Sequence, residues 1–173
     1  MARQPRVARF GRCLLSALCT APVAQLGPQA VRAESADRAS ARSTVSRARS
    51  EARRLLVRPQ CQQLFAEFKD ATGRTLRERL EATRHTAASY LDIIEYVDGT
   101  HLPPCKDSDV FALTPTGGRV TFICRPQFGL VDSRNSTIAA AILIHEELHS
   151  LGLGENPPRS QEITLRVLSL CHR

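Results

Sequence analysis

The apolar positions of this chain are sparse at first and strongly patterned later. Residues 34–58 are rich in Ala, Arg and Ser and hold almost no large apolar side chain before Leu55. Such a stretch has no face to bury and reads as a flexible or loosely helical linker. Order is predicted from Pro59. Proline suits the first turn of a helix, and Cys61, Leu64, Phe65 and Phe68 share one helical face. Gly73 is placed to end that helix. A longer one is predicted next, because Leu76, Leu80, Thr83, Ala87, Tyr90 or Leu91, Ile94 and Val97 recur at alternating steps of four and three until Asp98-Gly99. The steps resemble a coiled-coil seam, but the run is short and mixed, which favours a packed core helix.

The period then changes. His101 to Asp109, with Pro103-Pro104-Cys105, reads as a loop. Val110 to Leu113 and Arg119 to Cys124 are short β-prone runs joined by Thr114-Pro115-Thr116-Gly117-Gly118, a hairpin signal. Arg125 to Asn135 reads as a connection. Ser136 is a fitting N-cap for a helix from about Thr137 to Leu151. Gly152 and Gly154 break it, Pro157-Pro158 forces an extended turn, and a last helix runs from about Ser160 to Cys171. No internal repeat is visible. The predicted fold is α+β, helix-rich, with a short β-hairpin before the 137–151 helix, in one domain over residues 59–173.

Inside that helix stands His145-Glu146-Glu147-Leu148-His149, an HExxH pentapeptide. Two imidazoles four residues apart lie on one helical face and can hold one zinc ion together. Glu146 is placed to accept the proton of a water at the metal. Ala141 and Ile142 share the face of the histidines, and Leu143, Ile144, Leu148 and Leu151 cover much of the rest. A helix apolar nearly all round is buried. Two buried histidines need partners, and a metal supplies them. The plainer alternative is an amphipathic helix with two surface histidines. Glu147 is turned by about 100° from Glu146 and reads as structural or solvent-facing. His85, on a polar stretch, reads as surface.

The segment from Ile142 to Pro158 resembles the active-site helix and turn of zincin-type (HExxH) metallopeptidases. With Ser160 to Thr164 and Cys171 it is similar to small bacterial secreted proteins grouped as HExxH metallopeptidases. The resemblance implies a zincin-like fold and a secreted or periplasmic zinc metallopeptidase acting on a peptide or protein substrate. It implies that His145 and His149 are zinc ligands and that Glu146 is the general base. It also implies that the strand Arg119 to Cys124 borders the cleft and pairs with extended substrate. In HExxHxxGxxH sites the glycine turns the chain so that a ligand six residues after the second histidine returns to the metal. Gly152 and Glu155 stand at those two positions, and a carboxylate can replace imidazole on zinc. In another arrangement the ligand is a glutamate on the next helix, a role open to Glu162, which also suits the dipole of a first helical turn. Glu155 is favoured, with Glu162 as the alternative third ligand.

Zinc with three protein ligands keeps a position for water and lowers its pKa towards about 7. Glu146 would take the proton and deliver it to the leaving nitrogen. Tyr90, Tyr96, His101 and Arg166 are candidates for a second oxyanion donor, though each suits a structural or surface role. The chain departs from the metzincin pattern: its only methionine is Met1, and 24 residues follow His149. These departures motivate an alternative, a catalytically weak or inactive zinc-binding or structural protein on the same scaffold.

Charge and cysteines add the setting. Residues 1–33 carry five arginines, no acidic residue and a moderately apolar stretch from Cys13 to Leu26. They read as an export signal, with Val31-Arg32-Ala33 offering a cut and Cys19-Thr20-Ala21 a second. The apolar stretch is much too short for stable membrane insertion. Without this segment the formal charge of +7 falls to +2, with 19 basic and 17 acidic residues left. At +2 no nucleic-acid partner is expected. Cys61, Cys105, Cys124 and Cys171 remain, an even number that suggests two disulfides in an exported chain. Three pairings are open; Cys61–Cys105 and Cys124–Cys171 are preferred. A Cys-ligated metal is disfavoured because no CxxC pair occurs. Oligomeric state is not legible.

Overall fold

The computed structural model describes residues 28–172, with side chains from residue 42 onward. The expected export signal lies outside the described residues except for its last positions, which begin the first helix. The fold is α+β. Helix α1 (Pro28–Leu56) precedes α2 (Pro59–Glu67), α3 (Leu76–Ala82) and α4 (Ala87–Tyr90). Strands β1 (Glu95–Asp98), β2 (Ala112–Leu113) and β3 (Val120–Ile123) follow, then α5 (Arg125–Arg134), α6 (Ser136–Ser150) and α7 (Ser160–Cys171).

Helix α6 is the core element, packed by α1, α5 and α7. Every residue from Ala139 to Ser150 is buried. Each fully buried Leu or Ile there contributes about 1.5–3 kcal/mol relative to exposure. The expected linker is not loose: α1 is one continuous helix. Its Ala48, Ala52, Leu55 and Leu56 are fully buried against the core. Alanines on α1 and the run Ala139 to Ala141 on α6 allow close helix approach, since interaxial distance follows side-chain size. Arg47 reaches Asp132 on α5 at 2.7 Å and Arg53 reaches Asp92 at 3.0 Å.

The single helix expected over 76–97 is instead two short helices and a strand. Of its predicted positions Leu76, Leu80, Ala87, Tyr90, Leu91 and Ile94 are buried, whereas Thr83 and Val97 are only half-buried. The backbone breaks at Arg84, with φ 59°. Thr86 then caps α4 by accepting from the Ser89 backbone N–H, as Thr75 caps α3 from Glu78. Threonine hydroxyls that bond their own backbone compete with helix continuity. Helix α2 ends at Glu67, and Gly73 (φ 85°) serves the following turn rather than the helix end.

The sheet order is β1-β3-β2. β3 pairs β1 in parallel, Glu95 with Val120 through Asp98 with Ile123, and β2 antiparallel, Leu113 with Phe122. The expected hairpin is therefore present, with an added parallel strand. The expected connection 125–135 is α5, with Pro126 in its first turn. Among the described residues no helix is long and apolar enough to cross a membrane.

Two disulfides form, but not in the preferred pairing. They are Cys61–Cys171, with Cα atoms 4.4 Å apart, and Cys105–Cys124, at 5.1 Å. Packing decides this. Helix α7 lies on α2, where Arg166 also forks onto Glu67 at 2.7 and 2.6 Å. Cys105, in the short 3-10 helix Pro103–Lys106, meets the end of β3.

Candidate metal centre

The HExxH segment occupies the last turns of α6. The N-cap of this helix is Asn135, whose side chain accepts from the N–H groups of Thr137 (3.0 Å) and Ile138 (3.3 Å); Ser136 is the first helical residue. At the other end Gly152 takes φ 111°. Its N–H donates to the His149 carbonyl at 2.9 Å, and the Leu153 N–H donates to Leu148 at 3.0 Å. This left-handed reversal sends Leu153 and Glu155 back along the helix. A Cβ on Gly152 would also stand 3.3 Å from Asp70 Cβ. Gly152→Ala should therefore cost at least about 1 kcal/mol in urea unfolding and weaken metal binding. An unchanged midpoint would contradict this account of the turn.

The reversal brings three ligand atoms together. His145 Nε2 and His149 Nε2 are 2.8 Å apart, and Glu155 Oε1 lies 3.1 Å from His149 Nε2 and 3.6 Å from His145 Nε2. His145, His149 and Glu155 form a group able to hold a metal ion. Glu162 is engaged elsewhere: it is exposed and accepts from the Arg159 backbone N–H at 3.0 Å, capping its own helix. The outer ring nitrogens are also occupied. His145 Nδ1 meets Thr164 Oγ1 on α7 at 2.9 Å, and His149 Nδ1 meets the Leu153 carbonyl at 2.8 Å.

The donor set favours a cation. A carbonyl only accepts, so His149 carries its proton on Nδ1, and in a neutral ring Nε2 is then a lone pair. Burial, and secondarily His149, lower the His145 pKa to about 3, so this ring is neutral near pH 7. Two imidazole nitrogens and a carboxylate oxygen, each able to present a lone pair, thus converge within 3.6 Å of one another. A metal ion satisfies all three at once.

Glu146 is 5 % exposed. Burial lifts its pKa to about 7, against stabilisation of the carboxylate by His149 and by the Thr114 hydroxyl and N–H. Its Oε2 is buried without a hydrogen-bond partner. Thr114 follows β2, and its hydroxyl lies 2.7 Å from that of Thr121. The turn beyond it is tied to α6 by Gly117 N–H donating to the His149 carbonyl at 2.8 Å.

Glu147 is neither solvent-facing nor paired: it is fully buried, and both carboxyl oxygens lack partners. Burial raises its pKa well above 4.5. Above pH 4.5 the unfolded chain releases a proton that the folded chain keeps, so this residue lowers stability as pH rises. Glu147→Gln should therefore raise the unfolding midpoint more at pH 8 than at pH 4. Equal shifts at both would exclude the linkage.

The strand expected to receive substrate, 119–124, is the central β3, with neighbours on both sides. The edge strand beside the site is β2, which packs on α6. Among the proposed oxyanion donors, the Tyr90 hydroxyl is held by Ser150 Oγ at 3.1 Å and Arg166 by Glu67. The Tyr96 hydroxyl is buried and unpartnered, and His101 is exposed. Sequence reasoning missed Thr164, the Leu153 carbonyl and Thr114. Nothing in the spacing marks them, since Thr164 lies 19 residues beyond His145. No protein-family model, curated protein or solved structure matches this chain.

Proposed function

We propose that this chain is an exported, zinc-dependent metallopeptidase with a zincin-type active site. The observation that carries the reading is the convergence of His145, His149 and Glu155 beside a buried Glu146 with one unpartnered oxygen. Tetrahedral zinc, with bonds of about 2.0–2.1 Å, sets its ligand atoms about 3.3 Å apart. The separations of 2.8, 3.1 and 3.6 Å bracket that figure. Two imidazoles and a carboxylate are also a common donor set of catalytic zinc. Two disulfides suit an oxidising compartment, in keeping with the export signal read in residues 1–33.

Zinc at these ligands would supply Lewis acidity towards an attacking water and a peptide carbonyl. The chain's own part is proton transfer and positioning. Glu146 takes a proton from the water as its oxygen bonds to the carbonyl carbon. It passes that proton to the amide nitrogen as the C–N bond breaks. β2, the edge strand, is the element suited to align an extended peptide.

The test is elemental analysis of protein purified without chelator, together with turnover on a library of quenched fluorescent peptides. About one zinc per chain and cleavage are expected. Metal-free protein would sink the reading. Zinc without turnover would leave a zinc-binding structural protein in its place.

A further inference from the structure

We infer that Thr164 is a positioning residue for His145, one whose hydroxyl reverses its hydrogen-bond role when the site takes up metal. The inference rests on the zinc reading above, but it concerns the ring proton of His145 and not peptide cleavage. His149 is fixed in one tautomer, because its Nδ1 faces the Leu153 carbonyl at 2.8 Å, which only accepts. In the neutral ring its Nε2 is a lone pair, which His145 Nε2 approaches at 2.8 Å and Glu155 Oε1 at 3.1 Å.

Without metal and with both rings neutral, the His145–His149 contact is a hydrogen bond when His145 carries its proton on Nε2 and donates it to His149. His145 Nδ1 is then an acceptor, and Thr164 Oγ1, 2.9 Å away, is the donor. With metal, Nε2 must present its lone pair, so the proton moves to Nδ1 and Thr164 accepts it. A hydroxyl serves both states without moving, whereas an ionised carboxylate in its place only accepts. Outer partners of this kind fix ring orientation and tautomer.

Helix α7 is well anchored for the task. It is joined to α2 by Cys61–Cys171 and by the Arg166–Glu67 fork. Arg58 adds a bond to the Cys171 carbonyl at 3.1 Å.

The experiment uses the full chain and zinc alone as probe. Ring 15N shifts are recorded with and without zinc, and affinity is measured by competition with a chromophoric chelator. The His145 proton should move from Nε2 to Nδ1 on loading, while that of His149 stays on Nδ1. Thr164→Val should lower zinc affinity about 10–100-fold, and Thr164→Ser should restore most of it. A merely structural threonine would affect unfolding but not the ring shifts. Zinc affinity of Thr164→Val within about twofold of wild type, against that 10–100-fold expectation, would overturn the inference. So would a His145 proton on Nδ1 in both states. Failure of the wild type to take up zinc would overturn the zinc reading and this inference together. Zinc uptake without peptide cleavage would overturn the peptidase reading alone.

Discussion

Glu146→Gln is expected to abolish peptide hydrolysis while the metal stays bound. Glutamine keeps the volume of the side chain and an oxygen able to accept from Thr114, so the packing around α6 is preserved. It cannot take a proton from water, and loss of a general base costs about 10²–10⁴-fold in rate. The ligand atoms of His145, His149 and Glu155 are untouched by the change. Zinc content should therefore match wild type, and the loss should fall on kcat with KM little altered.

The pH dependence has a definite sign. Only the ionised carboxylate accepts a proton, so kcat/KM should rise with pH through the Glu146 pKa. Burial places that pKa at about 7 in the metal-free chain, and a dication at the three ligands pulls it down. The acid limb of the zinc-loaded enzyme should lie below 7 and be missing from any residual activity of Glu146→Gln. Undiminished cleavage by this variant would remove Glu146 from the mechanism.

The second large effect is on stability. Cys61→Ala with Cys171→Ala opens a bridge that spans 110 residues, whereas Cys105–Cys124 spans 19. Loop-closure entropy makes the first worth about 4.7 kcal/mol and the second about 3 kcal/mol. Against a typical total of about 5–15 kcal/mol, the first loss is a large share. All four cysteines are buried, so alanine avoids leaving a buried polar group. The larger loss should also carry a functional signature, because α7 holds Thr164 against His145. Urea unfolding of the two double-alanine variants gives the ranking, and chelator competition gives the zinc affinity. A larger loss on opening Cys105–Cys124 would contradict the loop-length argument.

Elements with local signals were legible. Pro59, Gly152 and Ser160 stand at the boundaries where proline, glycine and polar residues were read as punctuation, and α2, α6 and α7 lie where expected. The burial of α6 followed from its nearly continuous apolar surface. The 76–97 segment shows the limit of periodicity. Most of its apolar stripe is buried because burial depends on the period, with Thr83 and Val97 only half-buried, but Thr75, Thr83 and Thr86 offer caps whose use only the fold selects. β1 was hidden because its partner begins 25 positions on, Glu95 with Val120, and parallel pairing leaves no turn signature. α1 was misread because its buried stripe begins with alanines, which gain worth only against another small-residue surface.

The sequence by itself determined the chemistry on offer: two histidines on one helical face, a glutamate beside them, a glycine where a reversal was needed and four cysteines fit for two bridges. These follow from spacing within a few residues. Tertiary structure alone decided which partners meet. It chose Glu155 over Glu162, because the left-handed Gly152 returns one carboxylate to the histidines while the other caps α7. It paired Cys61 with Cys171, because α7 lies on α2. It buried Glu147, placed β3 in the middle of the sheet and set Thr164 behind His145. Each of these depends on how helices and strands distant in sequence pack together, and short-range spacing carries no record of that.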